Sequence, residues 1–521
     1  RLNSPNSFST PQSAGTISNV ITWNVGTGST TNTLQLSSSV NLGTGALDFN
    51  VLSGSSIDFG LFNLTGSSTN FNLNSNATLI SALTTATDAQ VLTVTGNTTL
   101  GSVRTGGTKT YDPAANYIFN GAGTQIAGAA FTSVANLTIA KSSGGLTLST
   151  STNLAITGNL TLTQGSFNLN TNTVTYSGSS ITRTSGTITA TNTSLVFTNT
   201  NPVSIPVGTF PSLSVLNLTI NGAGGVTINS DVNITNSLTL TSGTLTVGAV
   251  TLGFATSIAS VARTSGNINA SGASSIVSFT NTSPLTLPND LFTGSIATLT
   301  INGAGGITLG SAITVATALN LTSGNIDLST FNLTINSSAS LSGGSASSYI
   351  IISNTGRVLR SIANGGGTFI FPIGRNTSNY NPLTITNTGG NTAVYTVGVA
   401  NTTYSPVANG ANAQWSIASS ASTTSTFAFE WATADAGATL SASSTIGIAY
   451  QYNGSTWDNR GGTTTGTPNI TTVTGITDLT NPTWTVALPP PTVTTNAASS
   501  IATTSVVFNG TVNANANSTV A

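Results

Sequence analysis

The stretch Leu218–Thr227 reads LTINGAGGVT, and it returns as LTINGAGGIT at Leu299–Thr308, 81 residues further along the chain. A second phrase, LTLTSG at Leu238–Gly243, returns as LNLTSG at Leu319–Gly324 with the same spacing. A looser copy of this second phrase, LTLTQG, lies earlier at Leu160–Gly165. Matches that share one spacing in several registers indicate an internal repeat of about 80 residues.

Within each repeat the apolar residues recur at every second position. Asn217–Ile220, Val226–Ile228 and Leu245–Val247 place apolar residues on one side and Thr or Asn on the other. Such alternation predicts β-strands with one buried face. Gly, Asn and Ser interrupt the pattern too often for a helix to form. We therefore predict an all-β structure for residues from about 15 to 345.

Two architectures fit short alternating strands, and we favour a right-handed parallel β-helix, or solenoid. Equivalent positions in successive coils of such a stack lie about 4.8 Å apart. Like charges stacked at that distance would repel, whereas Asn and Thr can form hydrogen-bonded ladders. The outward residues here are mostly Thr, Ser and Asn, which suits a stack. The alternative is a string of sandwich domains of about 80 residues each.

The composition changes near residue 346. Four of the five Trp and six of the nine Tyr lie between residues 349 and 484, where the repeat has ended. Aromatic residues fill sandwich cores, so we predict a solenoid over residues 1–345 and an antiparallel β-sandwich over 346–488. Residues 489–521 begin with Pro489–Pro491, which predicts a stiff linker. Thr492–Thr494 and Ser505–Phe508 then read as two strands, too few for a stable domain.

The chain is nearly free of ionisable side chains. It has ten Lys and Arg, eleven Asp and Glu, and no His, Cys or Met among 521 residues. These numbers disfavour acid–base and thiol catalysis, and we predict a protein that is not an enzyme and binds no cofactor or metal. The sequence contains no basic cluster of the kind that binds nucleic acid, so we predict no nucleic-acid partner. It also contains no apolar run long enough to cross a bilayer, so we predict no membrane span. So few charges also predict stability that hardly changes between about pH 4 and about pH 9.

Four residues of the Trp-rich region are candidate ligand contacts: Trp431, Trp457, Asp458 and Arg460. Aromatic rings beside a few polar groups can stack on sugar rings. The competing interpretation is that these Trp residues form the sandwich core and that the acidic residues cap turns.

An arginine recurs in one register of the repeat. Arg183 and Arg263 each open the phrase RTSG, and Arg104 opens the related RTGG. These residues could present a ladder of positive charge to an acidic partner. The interpretation we favour is that each lies at a turn and donates hydrogen bonds to backbone carbonyls.

The repeated phrases, with NLTIN between them, resemble autotransporter-like adhesins and other repeat-rich surface proteins of Gram-negative bacteria over residues of about 40–345. The stretch from Arg357 to Arg375 resembles the sandwich region that follows such repeats in proteins exported by type IX secretion. Pro491–Ala497 and Phe508–Val512 resemble the opening of a fibronectin type III or Ig-like module. The given sequence departs from these patterns, because it contains only about two strands of the module and no type IX sorting domain. We expect either that it is a fragment of something longer or that the two strands pair with another molecule.

The resemblance and the composition together predict a secreted bacterial structural protein, either an adhesin stalk or an extracellular filament subunit that assembles through β-strand contacts. Its expected partners are other copies of itself or host and matrix glycans, and its expected location is the cell surface. The chain opens on Arg1, as expected if a secretion leader has been removed. One alternative is a carbohydrate-binding protein that uses the Trp-rich domain. Another is a polysaccharide-degrading β-helix enzyme.

Overall fold

The computed structural model describes residues 22–26, 32–83, 91–211, 214–400, 410–432, 435, 440, 446–466 and 468–513. The regular elements whose bounds lie within these residues are all β-strands, which confirms the all-β prediction. No helix in this part of the chain is long and apolar enough to cross a bilayer. The chain divides into two compact units. The first comprises residues 1–277 with 291–293, and the second comprises residues 278–290 with 294–521.

The first unit is a parallel β-solenoid, as predicted. Its strands, β1 to β28 in chain order, are Thr22–Val25, Thr33–Gln35, Val40–Asn41, Asp48–Val51, Ser56–Asp58, Leu64–Gly66, Asn70–Leu73, Thr78–Ser81, Val103–Thr105, Lys109–Tyr111, Asn116–Gly121, Gln125–Ile126, Ser133–Val134, Leu137–Thr147, Leu154–Ile156, Leu160–Asn168, Thr173–Tyr176, Ile181–Arg183, Thr187–Thr189, Ser194–Phe197, Val203–Ile205, Ser214–Ile220, Val226–Ile228, Val232–Leu240, Thr244–Val247, Thr251–Phe254, Ser260–Arg263 and Asn267–Asn269. Strand β29, Ile276–Phe279, begins in this unit and ends in the next.

In successive coils, residues of the same kind lie directly above one another. Leu195 pairs with Leu218, and Leu218 pairs with Leu238, in parallel register. All three leucines are almost fully buried. The period-two pattern thus becomes a continuous apolar interior, because each inward side chain contacts its equivalents in the coils on either side.

The outward side chains of neighbouring coils form the predicted polar ladders. Asn50 lies between Asn24 and Asn72 in the parallel register. The Nδ2 of Asn50 donates to Oδ1 of Asn24 at 3.0 Å, and the Nδ2 of Asn72 donates to Oδ1 of Asn50 at 2.8 Å. An amide both donates and accepts, so a column of Asn residues can satisfy itself at the strand spacing without any charge.

A buried asparagine explains why the phrase NGAGG recurs. Asn199 is fully buried, and its Nδ2 donates to the carbonyls of Asn201 at 2.7 Å and Gly225 at 2.8 Å. A Cβ on Gly222 would lie 2.3 Å from the carbonyl oxygen of Asn199, so any residue other than glycine at this position would clash with that oxygen. In the second unit, Asn281 forms the same pair of bonds to Ser283 and Gly306, each at 2.7 Å.

Replacing Asn199 with Ala is expected to lower the free energy of unfolding of the first unit by about 1–3 kcal/mol, because two carbonyls each lose a buried donor. Native-state hydrogen exchange of the unit would measure the loss. The matched control is Asn229→Ala, which removes an exposed hydrogen bond from Nδ2 to Oγ of Ser204 at 2.8 Å. The control should change stability by about 0.5 kcal/mol or less. Equal effects of the two substitutions would contradict the structural role of Asn199.

The second unit contains both parallel coils and antiparallel sheets. Its strands, β30 to β52 in chain order, are Leu285–Thr286, Ile296–Asn302, Ile307–Thr308, Ile313–Ser323, Ile326–Asp327, Leu333–Ile335, Ser340–Gly343, Ile350–Ile351, Val358–Ile362, Gly367–Phe371, Ile373–Asn376, Asn379–Tyr380, Leu383–Gly390, Ala393–Ala400, Gln414–Ser419, Thr423–Glu430, Ile448–Tyr452, Trp457–Gly461, Thr463–Gly466, Asn469–Ile476, Thr483–Ala487, Thr492–Ser499 and Val507–Asn513.

Parallel pairing continues beyond residue 345, where the sequence placed the domain boundary. Strand β37 pairs in parallel with β34 on one side and with β40 on the other, through Ile350 with Ile326 and Ile350 with Ile373. The apolar run Tyr349–Ile352 lies within residues 346–488, for which the sequence predicts a sandwich. It forms a buried rung of the solenoid instead. On this path the first antiparallel pairing is that of β40 with β41, and in the neighbouring sheet β38 pairs antiparallel with β43.

The antiparallel part is a two-sheet sandwich with an aromatic core, as predicted. One sheet contains β38, β43, β44, β46, β47 and β50, and the other has the order β39-β42-β45-β49-β48. Rings from the two sheets meet between them: Trp415 lies 5.1 Å from Phe429, and Phe427 lies 5.4 Å from Trp484. Trp415 and Trp484 are fully buried, so these contacts form the core of the sandwich.

Strands β51 and β52 form a separate antiparallel hairpin, which we call the tail hairpin. The two strands that the sequence predicted are both present, and they pair with each other from Thr492 with Asn513 to Ser499 with Val507. Every residue of β51 is exposed. Val493 and Val512 face each other across the pair with 67% and 56% of their surface exposed.

Candidate functional site

Trp431, the first of the predicted ligand contacts, lies inside the sandwich. It directly follows β45 and is 1% exposed. Its Nε1 donates to Oγ1 of Thr471 at 3.3 Å. This ring therefore has no surface on which a sugar could stack, and its place in the core is what the competing interpretation of the Trp residues predicted.

Trp457 lies in the hairpin of β46 and β47, away from the charged residues next to it in sequence. Trp457 pairs with Tyr452, and the ring centroids are 5.3 Å apart. Consecutive residues of a strand point to opposite faces, so Trp457 lies on one face of the hairpin and Asp458 on the other. Arg460 forms exposed ion pairs with Asp458 at 3.8 Å and Asp478 at 4.0 Å. The structure therefore does not assemble the four predicted contacts into one site.

A buried carboxylate organises a different cluster, which sequence reasoning missed. The side chain of Asp435 is completely buried and forms an ion pair with Arg375 of β40. Its oxygens also accept hydrogen bonds from Nδ2 of Asn379 at 2.6 Å and from Nδ2 of Asn381 at 2.5 Å. Between 54 and 60 residues separate Asp435 from these partners, so no local motif reveals the cluster. The Asn-rich stretch 376–381, which supplies two of the partners, is the local feature that accompanies the cluster.

The two lysines of the chain both lie in the interior of the first unit. Lys109 is 9% exposed, and its Nζ donates to Oγ1 of Thr93 at 2.7 Å and to the carbonyl of Asn97 at 2.5 Å. Burial lowers the pKa of Lys109 to about 8, because water no longer stabilises the cation. Neither lysine belongs to an ion pair among the described residues.

Lys141 is fully buried and has a side-chain amide as its neighbour. Its Nζ donates to the carbonyl of Asn120 at 2.5 Å and to Oε1 of Gln125 at 2.8 Å. Burial lowers the pKa of Lys141 to about 8 as well. The Nε2 of Gln125 donates to the carbonyl of Ser81 at 3.2 Å and to its Oγ at 3.3 Å, and Oγ of Ser81 lies 2.9 Å from Oγ of Ser102. These side chains form a continuous buried polar chain.

The recurring arginines bind turns, which confirms the favoured interpretation. The Nε of Arg183 donates to the carbonyl of Gly186 at 2.7 Å, and the Nε of Arg263 donates to that of Gly266 at 2.6 Å. The Nε of Arg104 donates to the carbonyl of Gly101 at 3.0 Å. Each guanidinium thus holds a corner of a coil in place.

Over the part of the chain that the structure describes, no three His, Cys, Asp or Glu side chains are grouped so that they could hold a metal ion. Comparison of the chain with protein-family models, with curated proteins and with solved structures gave no match. Among the described residues, the polar groups that the fold organises are therefore the neutral ladders on the surface and the enclosed ionisable side chains Lys109, Lys141 and Asp435.

Proposed function

We propose that this chain is a secreted structural protein of a bacterial surface, an adhesin stalk or extracellular filament subunit that assembles through β-strand contacts. The observation that carries the proposal is how its few ionisable side chains are used. Arg183 and Arg263 bind turn carbonyls, Lys109 and Lys141 are enclosed in the core, and Asp435 is buried against Arg375. Each of these groups is satisfied by hydrogen bonds or an ion pair inside the fold, which suits a structural element.

The stack of coils supports a role in spanning distance. Each coil adds about 4.8 Å along a solenoid, and the coils are joined by backbone ladders and by side-chain ladders such as Asn24–Asn50–Asn72. Interactions of this kind do not depend on ionic strength, because they involve no charge. A stalk outside the cell benefits from that independence.

The tail hairpin supports assembly through strands. An isolated two-stranded hairpin is marginally stable in water, and an edge strand is a template for pairing with another chain. Residues 479–521 carry no charged side chain, so none repels a second copy. Addition of a strand from a neighbouring molecule would pair the edge and cover Val493 and Val512.

Deleting residues 489–521 is expected to convert oligomers or filaments into monomers, because the hairpin supplies the strand contacts. Sedimentation velocity and negative-stain electron microscopy would measure the change, and immunogold labelling of intact cells would test the surface location. Val493→Lys with Val512→Lys should have the same effect. The matched control is Val207→Lys, at a valine that is 70% exposed on the first unit, and it should leave assembly unchanged. Assembly that survives the deletion, or labelling confined to permeabilised cells, would overturn the proposal.

A further inference from the structure

We propose that Lys141 and Gln125 form an intramolecular amide cross-link, an Nε-(γ-glutamyl)lysine bond, inside the first unit. This covalent bond would act as a staple in a chain that has no cysteine. It goes beyond the proposed function, since it is a chemical modification of the solenoid core whatever the solenoid does.

The geometry holds the two reacting groups together. Nζ of Lys141 lies 2.8 Å from Oε1 of Gln125, and Cδ, the atom to be attacked, is bonded directly to that oxygen. Lys141 and Gln125 are both fully buried. Gln125 begins β12, which pairs with the same strand β14 that carries Lys141. Reacting groups that are held side by side in a favourable orientation reach effective concentrations of about 10⁵–10⁸ M.

The burial also prepares the nucleophile. An amine attacks a carbonyl only in its neutral form, and desolvation is a recognised way to obtain a neutral lysine. Lys141 has a pKa of about 8, so a large fraction of its amine is neutral in mildly alkaline solution. Exclusion of water from the site also protects the product from hydrolysis.

The reaction balances without any co-reactant. The lone pair of Nζ forms a bond to Cδ of Gln125, and the carbonyl π electrons move to Oε1. When the carbonyl reforms, the bond between Cδ and Nε2 breaks, and Nε2 leaves as ammonia with a proton that originates on Nζ. That proton passes from Nζ to Nε2 while both nitrogens are bonded to Cδ, and Oγ of Ser81, 3.3 Å from Nε2, holds the leaving group in place. No atom is oxidised or reduced.

Lys109 provides an internal comparison. It is also buried with a pKa of about 8, yet its Nζ contacts the hydroxyl of Thr93 and the backbone carbonyl of Asn97. Neither contact is a side-chain amide that could release ammonia. The proposal therefore predicts a bond at Lys141 and none at Lys109.

Mass spectrometry of the denatured full-length protein tests the proposal. The intact mass is expected to be lower than the sequence mass by one ammonia, and chymotryptic cleavage after Phe131, which lies between the two residues, should leave the peptides of Gln125 and Lys141 joined. Lys141→Met and Gln125→Ala should restore the sequence mass, whereas Lys109→Met should keep the deficit.

A succinimide at an Asn-Gly pair such as Asn120-Gly121 would also lose ammonia, but mild alkali opens it and does not cleave an amide cross-link. A deficit that disappears after mild alkali, or that persists in Lys141→Met, would overturn the proposal. So would a full-length protein that keeps its sequence mass after prolonged incubation in mildly alkaline buffer. The mass of the unsubstituted protein shows whether the cross-link has formed even if a variant fails to fold.

Discussion

Replacing Asp435 with Ala is expected to lower the free energy of unfolding of the second unit by about 3–5 kcal/mol. The carboxylate is completely buried, forms an ion pair with Arg375 and accepts hydrogen bonds from Asn379 and Asn381. Its removal leaves a mostly buried guanidinium without that counter-charge and two buried amides without an acceptor. Breaking one side of a buried pair costs far more than the pair itself contributes.

The matched control for Asp435→Ala is Asp458→Ala in the same unit. Asp458 forms its ion pair with Arg460 at 3.8 Å, and its side chain is 43% exposed. Exposed pairs contribute about 0–1 kcal/mol, so this variant should unfold almost like the unsubstituted protein. Urea unfolding followed by tryptophan fluorescence reports on the sandwich, because Trp415 and Trp484 lie in its core. Similar midpoints for the two variants would show that the Asp435 cluster does not hold the unit together.

The solenoid could be predicted because its signal is local and repeated. Each phrase such as Leu218–Thr227 contains the alternation that buries one face, and its return after 81 residues shows that the same coil is built again. Inside that repeat, Leu195, Leu218 and Leu238 stack at the shorter spacing of one coil, since each occupies an inward position of its own strand. Uncharged outward residues favoured the parallel stack over separate domains, since a stack places equivalent positions of successive coils one strand spacing apart.

The position at which parallel pairing gives way to antiparallel pairing could not be predicted, because composition was the only guide. Tyr349–Ile352 has the bulk of a sandwich strand, yet it forms a rung between β34 and β40. An apolar run buried on both sides looks the same in a sandwich and in a solenoid interior. A sandwich strand and a solenoid rung differ in the strands with which they pair, and the sequence of the run does not specify those partners.

The interior polar groups were missed for two different reasons. The cluster around Asp435 depends on pairings across more than fifty residues, which no local pattern encodes. Lys141 could have been found, because it continues the inward series Leu137 and Ile139 on β14 at the next alternate position. A lysine at an apolar position of a period-two pattern indicates a buried amine. Its contact with Gln125 comes from the parallel pairing of β12 with β14 and needed the fold.

Raising the pH from about 8 to about 10 is expected to stabilise the first unit, which revises the flat profile that the composition predicts. The pKa of Lys109 is about 8 in the folded protein against 10.5 for an unperturbed lysine. Below the lower value the amine is protonated in both states, so folding must bury a cation. Between the two pKa values the amine of the folded protein is neutral while that of the unfolded chain is still protonated. The free-energy cost of burying the cation, roughly 2–3 kcal/mol, is then removed. Lys141 adds a second contribution in molecules whose amine is free.

Tyrosines set the upper limit of this stabilisation. Burial raises the pKa of Tyr176 to about 12 from 10.0, so above about pH 10 the unfolded chain ionises first and stability falls again. The thermal midpoint of the first unit should therefore be highest near pH 10. Lys109→Met should raise the midpoint at about pH 7 and reduce its increase between about pH 8 and about pH 10, because a methionine of similar length has no cation to bury. A profile that stays flat over this interval, or that is unchanged by the substitution, would show that Lys109 is solvated in the folded protein.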